Sequence, residues 1–219
     1  MANIYVVRHG ETTANRDRVI QGPRIDAELS ARGHDQAARL GQALRATPFS
    51  SIYCSPLVRA RQTADTVAAH HATRLHATGA QPIAVHIVPE LYEMDYGNLA
   101  GRNYDDVRDV MDQVFDAWRM GFVDEPFPGG ESARLAQHRI RPFASRIAEE
   151  GRRHDVAVVA HGRINRVLIA TLTGAGLQQL EAFPQHNASI TQLRVEPDGV
   201  LVERLDDTSH LDHVGEAFS

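Results

Sequence analysis

The sequence predicts an α/β fold, a three-layer α/β/α sandwich around a mixed, mostly parallel central sheet. Two patterns predict it. Short β-branched runs alternate with longer stretches of helical periodicity, the order that builds a parallel sheet with helices on its faces. The last two runs flank a turn at Pro197-Asp198-Gly199, which suits a hairpin and makes the sheet mixed.

The elements follow in chain order. Ile4 to Val7 is an apolar run ended by a polar-glycine turn, and reads as a buried strand. Ser30 to Leu44 carries Ala31, Ala37, Ala38, Leu40, Gly41 and Leu44 at helical spacing, with Ser30 as N-cap. Ser51 to Cys54 is a second strand, Leu57 to His71 a helix, and Val85 to Val88 a third strand. Between Tyr104 and Met120, the residues Val107, Val110, Met111, Val114, Phe115 and Trp118 fall on one helical face. Glu131 to Glu150 is a further helix. Val156 to Ala160 is the most apolar strand, and the helix after it is read over Ile164 to Leu172. Ile190 to Val195 and Val200 to Leu205 are the final strands. No repeat, low-complexity segment or linker interrupts the chain, so residues 1–219 are read as a single domain. Residues 90–130 are read as a helical, cap-like insertion that roofs a pocket.

Composition narrows the function. With 219 residues and 42% hydrophobic residues, the chain can bury a full core without disulfides or metal. A net charge of -5 argues against general nucleic-acid binding. The single cysteine, Cys54, fits a reducing compartment. Neither a signal peptide nor a transmembrane run is legible, and the cytoplasm is the expected location. All 23 basic residues are arginine. A phosphate-binding lysine of the P-loop type and a Schiff-base lysine are therefore excluded.

Ligands of open parallel sheets sit beyond the carboxyl ends of the strands. The first strand runs into Arg8-His9-Gly10. The second runs into Cys54-Ser55-Pro56, with Arg59 just inside the next helix, and the strand at Val156 runs into His161-Gly162. If these ends converge, two histidines and two arginines share one crevice. A neutral imidazole held through one nitrogen can attack phosphorus with the other. Flanking arginines bind phosphate oxygens through charge-assisted hydrogen bonds and disfavour the imidazolium. The departing alkoxide needs a proton, so a carboxylic acid belongs nearby. His9 is the expected nucleophile of a phosphoryl transfer.

The sequence resembles the histidine phosphatase superfamily, in its phosphoglycerate mutase-like branch. The resemblance rests on "IYVVRHGETTAN", "QGPRIDAELSARGHDQAARLG", "IYCSPLVRARQTAD", "PGGES", "VAVVAHGRINRVLIATLTG" and "NASITQL", in order along almost the whole chain. It implies that His9 is phosphorylated and that Arg8, Arg59 and His161 clamp the phosphoryl group. It implies further donors in Asn15 and the Gly162 amide. In "ELYEMDYG", Glu93 falls on the family's acid position, where a nearby phosphate should raise its pKa; Glu90 is its rival. Gln21, Gly22 and Arg102 are candidates for substrate contact, and the polar residues Arg163 and Asn165 for facing it.

The chain also departs from the family pattern. Gly97-Asn98-Leu99-Ala100-Gly101 lacks the tryptophan and glutamate often found there, and Cys54 replaces a common serine. Metal ligation is not expected. His70 and His71 are adjacent and do not share a helix face, and His210 and His213 lack completing ligands. The expected function is a cofactor-free phosphatase acting on a small phosphorylated metabolite, with no nucleic-acid or membrane partner. The alternatives are a phosphoglycerate mutase and a non-catalytic phospholigand-binding module on the same fold. Oligomeric state, homo-oligomer included, is left open.

Overall fold

A computed structural model of the chain describes residues 2–76 and 83–212. Among them, six strands form one sheet: β1 (Asn3–Arg8), β2 (Ser51–Cys54), β3 (Val85–Ile87), β4 (Val156–Ala160), β5 (Ile190–Glu196) and β6 (Gly199–Asp207). Their order is β3-β2-β4-β1-β5-β6. The first four pair in parallel, and β5 and β6 add antiparallel strands beside β1. The helices are α1 (Thr13–Arg16), α2 (Ala31–Leu44), α3 (Val58–His76), α4 (Tyr104–Arg119), α5 (Ala133–Glu150) and α6 (Gly162–Thr173).

The two-residue period of the strands sorts the core into two layers. Ile4, Val6, Val156, Val158 and Ala160 point to one face, where α4, α5 and α6 supply Met111, Phe115, Ile140, Ile147, Ile164 and Leu168. Val7, Ala157 and Val159 point to the other, against Leu40 and Leu44 of α2 and Ala64 and Val67 of α3. All five residues of β4 are buried, as a central strand covered on both faces requires. The sandwich expected from the alternating pattern is the one observed.

Most element boundaries agree within two residues, and the differences have local causes. Helix α5 starts at Ala133 rather than Glu131, because Ser132 Oγ accepts from the Leu135 amide and caps it. Helix α6 starts at Gly162, immediately after an extended His161, and not at Ile164. Helix α3 continues past His71 to His76. Strand β3 stops at Ile87, since Pro89 opens a 3-10 turn. Helix α1 was not legible in the sequence: one turn is too short for a hydrophobic period. A capping box between Thr12 and Asn15 holds it.

The 90–130 segment holds α4 and two 3-10 turns at Pro89–Leu91 and Gly97–Leu99. Its apolar face does not stand apart. Leu91, Met94, Leu99, Val107, Met111, Phe115, Trp118 and Phe127 join the core cluster on the β4 face. Trp118 keeps its indole satisfied by donating to the Glu125 carbonyl at 2.7 Å.

The loop after β1 lies directly on α2. A Cβ on Gly10 would stand 2.5 Å from the Gly33 carbonyl oxygen, and one on Gly33 would overlap the Glu11 carbonyl. The first turn of α2 thus needs glycine at Gly33 to let the His9 loop approach. Gly33→Ala should destabilise the protein by about 3 kcal/mol, the scale of overpacking a tight interior. Urea denaturation of the two proteins measures it.

Candidate active site

Strands β2, β4 and β1 are neighbours and parallel, so their carboxyl ends open side by side. His9 leaves β1 with its amide on the Ala160 carbonyl, and Ser55 leaves β2 with its amide on the Val159 carbonyl. His161 follows β4 and begins α6. The His9 and His161 rings lie 5.0 Å apart at 60°. Both are buried, at 2% and 0% exposure.

The ring orientation of His9 is set by its own loop. Nδ1 lies 2.7 Å from the Gly10 carbonyl, an acceptor only, so Nδ1 carries the proton and the lone pair is on Nε2. The Gly10 amide is in turn held by Thr63 Oγ1 of α3 at 3.1 Å. His161 Nε2 lies 2.7 Å from Ser55 Oγ, which also accepts from the Leu57 amide. With Ser55 donating to Nε2, the His161 proton sits on Nδ1.

Two arginines surround these rings. Arg59 is 1% exposed; its Nη2 donates to the Gly22 carbonyl at 3.0 Å and its Nη1 to Ile25 at 3.2 Å. Gly22 takes a positive φ of 60°, and a Cβ there would stand 2.9 Å from the Met94 carbonyl. Arg8 Nη1 donates to the Gln185 carbonyl at 2.6 Å. Among the described residues, Arg8 Nε, Arg59 Nε and His161 Nδ1 are buried nitrogens with no hydrogen-bond partner, and Gln21 Oε1 is a buried oxygen without one. Unpaired buried nitrogens on two cations that line one cavity suit an anion.

Glu93 closes the opposite side. Its carboxylate accepts from its neighbour Met94 and from the first-turn amides of α6, Arg163 at 3.2 Å and Ile164 at 3.0 Å. A carboxylate at a helix N-terminus is a favoured arrangement. The chain leading to Glu93 is anchored by Arg139, which donates to the carbonyls of Glu90 and Tyr92 and pairs with Glu131.

A cavity of about 190 Å³ is lined by Arg8, His9, Asn15, Gln21, Gly22, Arg59, Glu93 and Arg163, with Val19, Ile20, Tyr96, Tyr104 and Met111. His161 is not among the lining residues but packs its ring against that of His9, and Gly162 lies against the Arg8 guanidinium. Asn15 Oδ1 is already occupied by Thr12 and Asn187, which leaves its amide nitrogen as the group to donate. Three expected residues fall elsewhere. Arg102 is exposed outside the cavity, and its carbonyl holds the Ile20 amide. Asn165 is fully buried and braces the end of β1 by donating to Val7 and Gln185. Glu90 is not among the lining residues, whereas Glu93 is. His213 lies outside the described residues.

Sequence reading missed Ser55, Thr63 and the apolar wall. Ser55 was visible as the residue after a strand end; the wall carried no local signal.

Burial first, and then Arg59 and Arg8, hold the His9 imidazole well below its ordinary value. His161 is lowered for the same reasons. Burial pushes the Cys54 thiol up to about 11, so it stays protonated and inert. The lowered histidines tie stability to pH. Below the ordinary imidazole pKa of about 6.5, the unfolded chain binds protons that the folded chain refuses. Stability should therefore be flat with pH above about 7 and fall as pH drops through 6.5. Urea midpoints at pH 7.5 and 5.5 check this, and the drop should be smaller in a His9→Asn, His161→Asn double variant.

Comparison with known proteins agrees with this geometry. The family model "Histidine phosphatase superfamily (branch 1)" matches residues 4–208. The "Adenosylcobalamin/alpha-ribazole phosphatase" of Escherichia coli K12 is 30% identical over 82% of this chain and 83% of its own. "Probable phosphoglycerate mutase GpmB" of Citrobacter koseri is 30% identical over 97% of this chain and 96% of its own. The solved structure of Bacillus stearothermophilus YhfR superimposes with a TM-score of 0.79 at 28% identity, covering 97% of this chain and all of that one. With its family motifs in order and the same fold, the chain belongs to the histidine phosphatase superfamily.

Proposed function

We propose that the protein is a phosphatase that hydrolyses a small phosphomonoester through a phosphohistidine on His9. The observation that carries this is the His9 ring, buried, low in proton affinity and held by Gly10 with Nε2 as the free nucleophilic position. Arg8, Arg59, His161 and the Asn15 amide would hold the phosphoryl oxygens, their unpartnered donors matching what the oxygens accept. In the first step His9 Nε2 forms a bond to phosphorus and the phosphorus–oxygen bond to the alcohol breaks. Protonated Glu93 gives its proton to the departing oxygen. In the second step water attacks phosphorus, Glu93 takes the water proton, and the phosphorus–nitrogen bond breaks to release phosphate and neutral His9.

Each step uses only side chains on the cavity wall or behind it, so the proposed chemistry is metal-independent. Among the described residues no three His, Cys, Asp or Glu side chains cluster to hold a metal. No helix of the described residues is long and apolar enough to cross a membrane. With one inert cysteine, the protein acts as a cytoplasmic enzyme on a phosphorylated metabolite, with residues 90–130 as the roof of its cavity.

A mutase shares the first step but must return the phosphoryl group to a substrate. The mutase-named relatives keep that reading in view. A panel of phosphomonoesters should show hydrolysis, and 3-phosphoglycerate with added bisphosphoglycerate should release phosphate faster than it yields 2-phosphoglycerate. His9→Ala should lose at least about 10³-fold in kcat and all acid-labile labelling by substrate phosphate. Glu93→Gln should lose about 10²- to 10⁴-fold in kcat while still accepting label at His9. Turnover by His9→Ala at the wild-type rate would remove the mechanism.

A further inference from the structure

Among the described residues, the cations that line the cavity are Arg8, Arg59 and Arg163. The phosphoryl clamp uses the first two. Arg163 has no part in the steps at phosphorus. Its amide donates to Glu93 at 3.2 Å, so its side chain springs from beside the acid that meets the departing oxygen. The alcohol half of the substrate, which leaves past Glu93, comes within its reach.

The Arg163 guanidinium is held in place. Its side chain is only 15% exposed, and it stacks with its carbon 3.7 Å from the centre of the Phe115 ring. Nη1 donates to one oxygen of Glu181, whose other oxygen pairs with Arg166 at 2.6 Å. One carboxylate thus serves two guanidiniums, and the trio keeps one positive charge. Among the described residues, that bond from Nη1 is the only hydrogen bond the Arg163 guanidinium makes. Nε and Nη2 are without a partner, yet they are not among the sealed, unpaired atoms. The same edge of Arg24 grips Asp95 at 2.8 and 2.9 Å, and that of Arg139 grips Glu131 at 3.0 and 2.9 Å. Two parallel donors on this edge match the two oxygens of a carboxylate.

Charge and size favour the same ligand. Burial and then Glu93 push the Tyr96 hydroxyl up, while Arg163, Arg8 and Arg166 pull against them. The clamp and the Arg163 trio therefore act on one point of the cavity wall. A phosphoryl dianion answers Arg8 and Arg59, and Glu93 is protonated for the first step. The surplus charge at Arg163 is then met only if the alcohol carries an anion of its own. A cavity of about 190 Å³ leaves room beside the phosphoryl group for an alcohol of a few carbons.

We propose that the Nε–Nη2 edge of Arg163 binds a carboxylate on the alcohol, so that the site prefers phosphorylated short hydroxy acids to phosphomonoesters of neutral alcohols. This rests on the phosphatase reading. Arg163 is the specificity-determining residue, and Phe115, Glu181 and Arg166 position it.

The test uses 3-phosphoglycerate and glycerol 3-phosphate, which differ by a carboxylate in place of a hydroxymethyl group. Measured as phosphate release, kcat/KM should be at least about tenfold higher for 3-phosphoglycerate. Arg163→Gln should cut that ratio about tenfold, chiefly by raising KM for 3-phosphoglycerate, whereas Arg163→Lys, which keeps the charge without the fork, should retain part of it. A wild-type kcat/KM no higher for 3-phosphoglycerate overturns the inference whether or not the variants fold. An unchanged ratio in a folded Arg163→Gln overturns the role of Arg163. If neither ester releases phosphate and His9 takes no label, the phosphatase reading itself is overturned.

Discussion

Arg8 at the end of β1 lies opposite Ala160 at the end of β4, and this register delivers His9 and His161 from the sheet side by side. Everything in the site depends on that pairing. The His9 amide closes onto Ala160 and the His9 carbonyl receives Ala188 and Asn187, so the nucleophile is fixed by backbone bonds before any ligand arrives. Strand β2 on the far side of β4 adds Ser55 beneath His161 and aims α3 so that Arg59 enters the crevice. A one-residue slip would turn every side chain of β1 to the wrong layer. The two core clusters on the faces of the sheet make such a slip costly.

The same geometry concentrates positive charge where water is scarce. Burying a guanidinium costs several kcal/mol unless it is paired. Here the cost is only partly met, by the carbonyls of Gly22, Ile25 and Gln185 and by the distant carboxylate of Asp26 at 3.6 Å. The remainder is stored as unpaired donors, ready for an anion. Burial first, and then the positive surroundings, keep both imidazoles neutral, the state a nucleophile needs. Binding and activation thus come from one electrostatic arrangement. The carboxylate of Glu93 is set within it by amides of α6, the helix that His161 begins.

Particular residues show what could be read without coordinates. The strand-end positions of Arg8, His9 and His161 were legible because apolar runs end abruptly there and parallel sheets present their ligands at that edge. Ser30 announced the start of α2 and does cap it. Arg102 and Asn165 do not line the cavity, for one reason. Both are polar and near motifs in sequence, yet the loop turns Arg102 outward and the first turn of α6 turns Asn165 inward. Direction within a turn is not written in residue type. Helix α6 begins two residues before its apolar periodicity does, and this earlier start supplies the Arg163 amide that holds Glu93.

By itself the sequence determined the architecture and the histidine–arginine set. Periodicity and strand-end motifs are local, and local patterns survive without a partner. Only the tertiary structure decided which groups share the cavity with them. The apolar wall of Val19, Ile20, Tyr104 and Met111 and the pairing of Arg163 with Glu181 join residues far apart in the chain. Such contacts depend on how helices and loops pack across the sheet, which no single segment encodes.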